Sequence, residues 1–274
     1  MKYKEVKTNK KAVIVTSGGM DSIANGLMLL KKGYEIHYLH VNYGQKAEPA
    51  ETNACKMVQN ILRESYGQYV ALHLYDFPIT GTNSCLTNKG IKIPPGMESI
   101  KKSSTSIDEL WVPARNVVFL SIGAALAEDI MAGVITLGCN QSESAYPDNT
   151  KEFLDRFTYM LKYGCIKIHP KVISPEWNMD KAEILRFTKK NYPGIAPFTW
   201  SCDDGGIMMD GTCGCCNNRL FADMVTERLW DMPYLRPLTK DPDYFHDKFI
   251  PDLKKTFKTK LGKRLWMYKY RDLI

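Results

Sequence analysis

Short apolar runs alternate with amphipathic stretches through the first half of the chain, and the hydrophobic period switches between them. KAVIVT (11–16) predicts a strand, and residues 21–32 predict a helix that Gly33 ends. EIHYLHVNY (35–43) predicts a second strand, residues 47–66 a second helix and QYVALHLYDF (68–77) a third strand. Residues 112–133 read as a long helix with Pro113 near its first turn, and GVITLGCN (133–140) as another strand. Strands that alternate with helices predict an α/β fold, a Rossmann-like parallel sheet flanked by helices.

Residues 78–110 break this rhythm with Gly, Pro, Ser, Thr, Asn and Lys and read as a long surface loop or lid. Beyond 140 the pattern predicts a helix near 150–162, a strand near 165–173 and a helix over about 179–191. The stretch PGIAPFTWSCDDGGIMMDGTCGCCNNR then reads as irregular.

At 274 residues, 44% hydrophobic and 24% charged, the chain has the composition of a globular protein with a substantial core. No apolar run approaches the ~20 residues a membrane span needs. The opening MKYKEVKTNKKAVIV has no signal-peptide pattern, so no membrane association and a cytoplasmic location are expected. The net charge of +7 is concentrated late: eight Lys and Arg fall between Lys254 and Arg271 with no acid among them. They form either a surface for nucleic acid or an acidic partner, or the solvated face of a C-terminal helix that buries Phe257, Leu261 and Leu265.

Of eight cysteines, four (Cys202, Cys213, Cys215 and Cys216) crowd into fifteen residues. A disulfide framework belongs to small secreted chains, so the cluster points to a metal. Zinc takes four N, S or O ligands in a tetrahedron, and Cys213 and Cys216 have the knuckle spacing. Cys202 adds a third ligand, and either Cys215 or Asp210 the fourth; free cysteines without metal are the plainer alternative.

The other chemical signal is VIVTSGGMDS, where a buried strand becomes a helix. Ser17, Gly18 and Gly19 permit a tight turn whose N–H groups converge at a helix N-terminus, where phosphate is favoured. Asp21 either orients the turn or holds Mg²⁺, and Ser22 offers a hydroxyl. The spacing is neither a Walker A loop nor a dinucleotide fingerprint, so on its own it also suits a structural turn.

SGGMDS resembles the pyrophosphatase loop of the N-type ATP pyrophosphatases (the PP-loop superfamily). VNYGQKAE (41–48), VPARNVVFLSIGAALAE (112–128), LGCNQSESAYPDNTKEFLDRF (137–157), PEWNMDKAEILR (175–186) and WSC…CGCC (200–216) resemble, in order, segments of the QueC family, the 7-cyano-7-deazaguanine synthases. The resemblance implies an adenine nucleotide alpha hydrolase-like fold with a C-terminal zinc-binding segment. It divides the chain into a PP-loop domain (1–195), a zinc-binding segment packed on it (196–230) and a basic extension (231–274).

It also implies an ATP-dependent C–N ligase. Adenylation activates the carboxylate of a 7-deazaguanine, ammonium supplies the amide nitrogen, and dehydration yields the nitrile. ATP, Mg²⁺ and Zn²⁺ are the implied cofactors, and a homodimer the implied assembly. Ser17, Gly18, Gly19, Asp21 and Ser22 would form the phosphate site, with Arg115 and Asn116 beside the phosphates or the acyl-adenylate. Val15, Val41, Tyr43, Gln45 and Gly138 would neighbour the nucleotide, and Glu143, Tyr146 and Asp148 the deazaguanine.

The chain departs from the family pattern at QKA, VPARN and YPDNT, and Arg219 stands where a further cysteine is usual. Two alternatives therefore accompany the synthase reading. One is a QueC-like ligase of an anti-phage system that joins the carboxylate to another amine, such as a protein terminus, with the basic tail docking that partner. The other is a degenerate nucleotide-binding subunit, which the intact SGGMDS disfavours.

Overall fold

The computed structural model describes residues 9–79, 83–98, 109–141, 146–227, 241, 243–260 and 262–274. Five strands, β1 (Asn9–Val15), β2 (Glu35–Asn42), β3 (Val70–Asp76), β4 (Ala132–Thr136) and β5 (Lys171–Ile173), form one sheet. Its order is β3-β2-β1-β4-β5, and each neighbouring pair is parallel. The longer helices are α1 (Met20–Lys31), α2 (Glu48–Glu64), α3 (Arg115–Asp129), α4 (Lys151–Gly164), α5 (Lys181–Asn191), α6 (Gly214–Glu227) and α7 (Ile250–Phe257). None in the described residues is long and apolar enough to cross a membrane.

The two-residue period of β1 assigns its side chains to two cores. Ala12 and Ile14 pack with Ile23, Leu27, Tyr38, Val58 and Leu62 beneath α1 and α2. Val13 and Val15 pack with Leu39, Leu120, Ala124, Leu154 and Phe157 beneath α3 and α4. Each buried Val, Leu or Ile contributes about 1.5–3 kcal/mol, so a slip of one residue in β1 would misplace both sets at once. A third core lies on the outer side of α1, where Met20, Ala24 and Met28 meet Leu185, Phe221, Phe249, Leu253 and Trp266.

The sequence boundaries change where tertiary partners set them. The helix expected over 112–133 starts at Arg115, because Ala114 after Pro113 adopts a left-handed φ of 54°. The strand expected over 165–173 shrinks to Lys171–Ile173, the three residues that pair with Val134–Thr136. The irregular segment ends early, since α6 begins at Gly214. In the loop expected over 78–110, residues 83–98 contact the cysteine segment: Gly96 N–H donates to Thr212 O at 2.6 Å, and Pro95 bridges to Cys213.

The single C-terminal helix is also replaced. α7 ends at Phe257, which is buried; Leu265 follows in a later turn and is half-buried, and Leu261 lies outside the described residues. One exposed residue of the basic tail is tied back to the fold. Lys269 Nζ lies 3.0 Å from Asp180 and 2.7 Å from Glu183, the capping-box residues of α5, and Tyr270 OH donates to Asp180 at 3.0 Å. The basic residues from Lys254 to Arg271 are all solvent-exposed, Lys269 included.

Candidate active site and metal centre

Strand order reverses on either side of β1, and open parallel sheets bind ligands at such a switch point, beyond the carboxyl ends of the strands. A cavity of about 310 Å³ opens there, lined among others by Val15, Ser17, Gly19, Asp21, Ser22, Val41, Gly138 and Lys181. Gly138 makes room for the helix start: a Cβ on it would come within 3.1 Å of Ser22 N.

The turn into α1 assigns different tasks to its two glycines. Gly18 has a φ of +73°; its N–H donates to Thr16 Oγ1 at 3.0 Å and its carbonyl accepts from Trp200 N at 2.9 Å. A Cβ there would lie 2.8 Å from Ala54 Cβ and from Glu51 O. Gly18 therefore serves close packing, its N–H is committed to the turn, and it is not among the cavity-lining residues. Gly19 lines the cavity and caps α1 without a side-chain hydrogen bond, presenting the helix N-terminus to a ligand. Ser22 Oγ is bonded to Thr16 Oγ1 at 2.9 Å and donates to Gly19 O at 3.2 Å, so its hydroxyl braces the loop. Gly18→Ala is expected to cost about 2–5 kcal/mol in a denaturant melt, from left-handed strain plus overpacking. Gly19→Ala, whose nearest contact would be Ser17 Oγ at 3.2 Å, is expected to cost far less stability.

Asp21 is held by Lys181 Nζ, the first residue of α5, at 2.5 Å from Oδ2. Its Oδ1 is buried with no hydrogen-bond partner among the described residues. An orphaned carboxylate oxygen beside an anion-binding helix terminus fits a hard cation such as Mg²⁺.

The rest of the lining carries a different set of groups. Arg115 NH1 donates to Tyr43 OH at 3.2 Å, with its guanidinium 5.6 Å from the ring centre. Gln45 is buried; its Oε1 accepts from Tyr43 N at 2.8 Å and its Nε2 donates to Glu51 Oε2 at 2.7 Å. Burial pushes the Glu51 carboxyl up to about 7, against the Gln45 hydrogen bond and the Arg115 charge. Burial, reinforced by Cys202, pushes Asp203 up to about 6. Desolvation also raises Tyr43 to about 12.

The residues assigned to the base lie at the edge. Asn116 lines the cavity and donates from Nδ2 to Asp148 O at 3.2 Å, tying α3 to the YPD turn. Tyr146 stacks on Trp111 with ring centres 5.7 Å apart. Neither Tyr146 nor Asp148 lines the cavity, and Glu143 lies outside the described residues. Burial raises the Asp148 carboxyl while Arg115 opposes the shift. Sequence reading missed Lys181, Glu51, Asp203 and His40, all of which line the cavity. Lys181 was visible in KAEILR, whereas the other three look like ordinary positions on a helix, a loop and a strand.

The cysteine cluster differs from the leading expectation. Ligand atoms of Cys202, Asp210, Cys213 and Cys216 lie within 4.8 Å of one another. Tetrahedral donors at about 2.3 Å from one ion are about 3.8 Å apart, so the set fits a single small ion. Backbone N–H groups of Asp210 and Cys216 donate to the sulfurs of Cys202 and Cys213, each at 3.3 Å. Cys215 is not in the group: on the exposed side of the first turn of α6, it faces the cavity and hydrogen-bonds Asp203. Arg219, at the position usually held by cysteine, instead braces Asp223 at 2.7 Å and Thr199 at 2.6 Å.

Comparison with known proteins gives the chain a family. Residues 11–223 match the family described as "Queuosine biosynthesis protein QueC". A 7-cyano-7-deazaguanine synthase of Methanothrix thermoacetophila is 34% identical over 76% of this chain and 92% of its own length. One of Methanococcus maripaludis is 32% identical over the same shares. Among solved structures, the U34-tRNA thiolase NcsA of Methanococcus maripaludis with its [4Fe-4S] cluster aligns at a TM-score of 0.42 and 16% identity, over 81% of this chain and 67% of its own. With the sequence match spanning most of the chain, the protein belongs to the QueC family.

Proposed function

We propose that this chain uses ATP to adenylate the carboxylate of 7-carboxy-7-deazaguanine, then amidates and dehydrates it to 7-cyano-7-deazaguanine. The observation that carries the reading is the juxtaposition in one cavity of the Gly19 helix terminus, the Asp21–Lys181 pair and Arg115. A carboxylate resists nucleophiles because resonance and charge deactivate it. Its attack on the α-phosphorus forms a C–O–P linkage and expels pyrophosphate, and AMP then becomes the leaving group.

Gly19, the first turn of α1 and Lys181 bind the triphosphate, with Ser17 beside them, while Val15, Val41 and Gly138 bound the nucleoside. Asp21 would hold Mg²⁺, which when bound neutralises charge on the phosphate oxygens. Arg115, kept in place by Tyr43, orients the substrate carboxylate, and Asn116 fixes the turn carrying Tyr146 and Asp148 at the deazaguanine end. Ammonia attacks the acyl carbon, AMP departs with the C–O bonding pair, and a proton is lost to leave the amide. Dehydration repeats the logic: the amide oxygen attacks a second α-phosphorus and expels pyrophosphate, then departs with AMP and the C–O pair, while the two N–H protons are lost and their electron pairs complete the nitrile. Positioning two substrates supplies most of the needed acceleration, and no side-chain nucleophile is required. Cys202, Asp210, Cys213 and Cys216 are assigned to a structural zinc that fixes the wall carrying Ser201 and Asp203.

Purified protein with ATP, Mg²⁺ and 7-carboxy-7-deazaguanine is expected to give, by mass spectrometry, the nitrile with ammonium and an adenylate without it. Transfer of the acyl group to another amine in preference to ammonia would replace the acceptor. No substrate-dependent consumption of ATP would overturn the reading.

A further inference from the structure

Part of the cavity lining is acidic, the wrong charge for either anionic substrate. Glu51 and Asp203 both belong to it, Glu48 lies close enough to act on Glu51, and the cation that acts on Glu51, Arg115, is already bonded to Tyr43. His40, from β2, lines the same cavity and is 2% exposed. Its Nδ1 lies 2.9 Å from the carbonyl oxygen of Thr16. A carbonyl only accepts, so Nδ1 carries the hydrogen and Nε2 a lone pair. That Nε2 is buried with no partner among the described residues. An acceptor buried without a partner carries an uncompensated desolvation cost, and burial also lowers the basicity of this imidazole. A neutral acceptor and carboxylates lining one small cavity suit a compact cation that carries only donors.

We propose that His40 and Glu51 form the subsite that takes up ammonium, His40 Nε2 accepting one N–H and Glu51 receiving the proton that leaves. This rests on the adenylation reading above. Ammonium has no lone pair and cannot attack. When one N–H bond breaks, its electron pair stays on nitrogen and the proton forms an O–H bond with Glu51. The resulting ammonia attacks the acyl carbon, and AMP leaves with the C–O pair. Glu51 is suited to the exchange because its Oε2 is fixed by Gln45 and its carboxyl titrates near neutrality.

Hydroxylamine supplies the test, since it is uncharged at neutral pH and needs neither a cation site nor prior deprotonation. Glu51→Gln and His40→Phe are each expected to lower the rate at limiting ammonium by on the order of 10²-fold, the lower range for a lost proton acceptor. Hydroxamate formation from hydroxylamine is expected to stay within about threefold of wild type, because its path uses no proton acceptor at the start. Unchanged ammonium dependence in both variants, or equal losses with both nucleophiles, overturns the subsite. A wild-type enzyme lacking carboxylate-dependent ATP–pyrophosphate exchange overturns the adenylation reading itself, and the subsite with it.

Discussion

Asp21→Asn is expected to reduce carboxylate-dependent ATP–pyrophosphate exchange by on the order of 10²- to 10³-fold, the effect of removing one preorganised charged group from a transition state. The substitution conserves volume and keeps one acceptor oxygen, so packing around α1 survives. What changes is charge: a cation is offered at most one neutral oxygen in place of a carboxylate, and Lys181 loses its ionic partner. The pair is largely buried, at 13% and 19% side-chain exposure, so breaking it also carries a stability cost of up to about 3 kcal/mol. Thermal unfolding beside the exchange assay separates the two effects: measured well below the melting temperature of the variant, exchange stays low if Asp21 acts on the reacting phosphate. Wild-type exchange from folded Asp21→Asn would sink the catalytic assignment.

The sheet was legible because its signal is local. The residues of β1 and β2 that alternate between two cores are apolar on both sides, which is the pattern of a buried parallel strand. β5 was overdrawn for a tertiary reason: its length follows the three residues of β4 that it pairs, while the preceding apolar residues serve other contacts. The start of α6 was hidden because Gly and Cys are weak helix formers, yet CGCC occupies its boundary and first turn. The site divided in the same way. SGGMDS announces itself by its spacing, but Glu51 sits in an amphipathic helix where an acid usually means solvent. In the fold it is half-buried, its Oε2 bonded to Gln45 and within reach of the Arg115 charge. Likewise, nothing in the sequence separates His40 from His37, whose ring pairs with Glu35 on the outer part of β2.

Cys216→Ala is expected to abolish stoichiometric zinc and lower the melting temperature by on the order of 10 °C, as the loss of several kcal/mol does in a domain of this size. The cluster joins three separate pieces of chain: Cys202 follows the Trp200 turn, Asp210 ends the GGIMM loop, and Cys213 and Cys216 flank the start of α6. Without an ion, the three sulfurs and the carboxylate keep N–H···S contacts at 3.3 Å and the Thr212 and Cys213 N–H groups on Asp210 Oδ1, weak links beside metal–ligand bonds. Trp200 N donates to Gly18 O, and Ser201 and Asp203 line the cavity, so the loss reaches the proposed ATP site as well. Metal analysis beside thermal unfolding, with and without a chelator, reads both consequences. Cys215→Ala provides the contrast, with zinc content and melting temperature expected to stay at wild-type levels, because Cys215 faces the cavity beside Asp203 rather than the cluster. Asp210→Ala is expected to fall between the two, leaving three sulfurs and an open position that water can occupy. Loss of zinc from Cys215→Ala, with retention in Asp210→Ala, would return the fourth position to sulfur and reject the geometry proposed for this site.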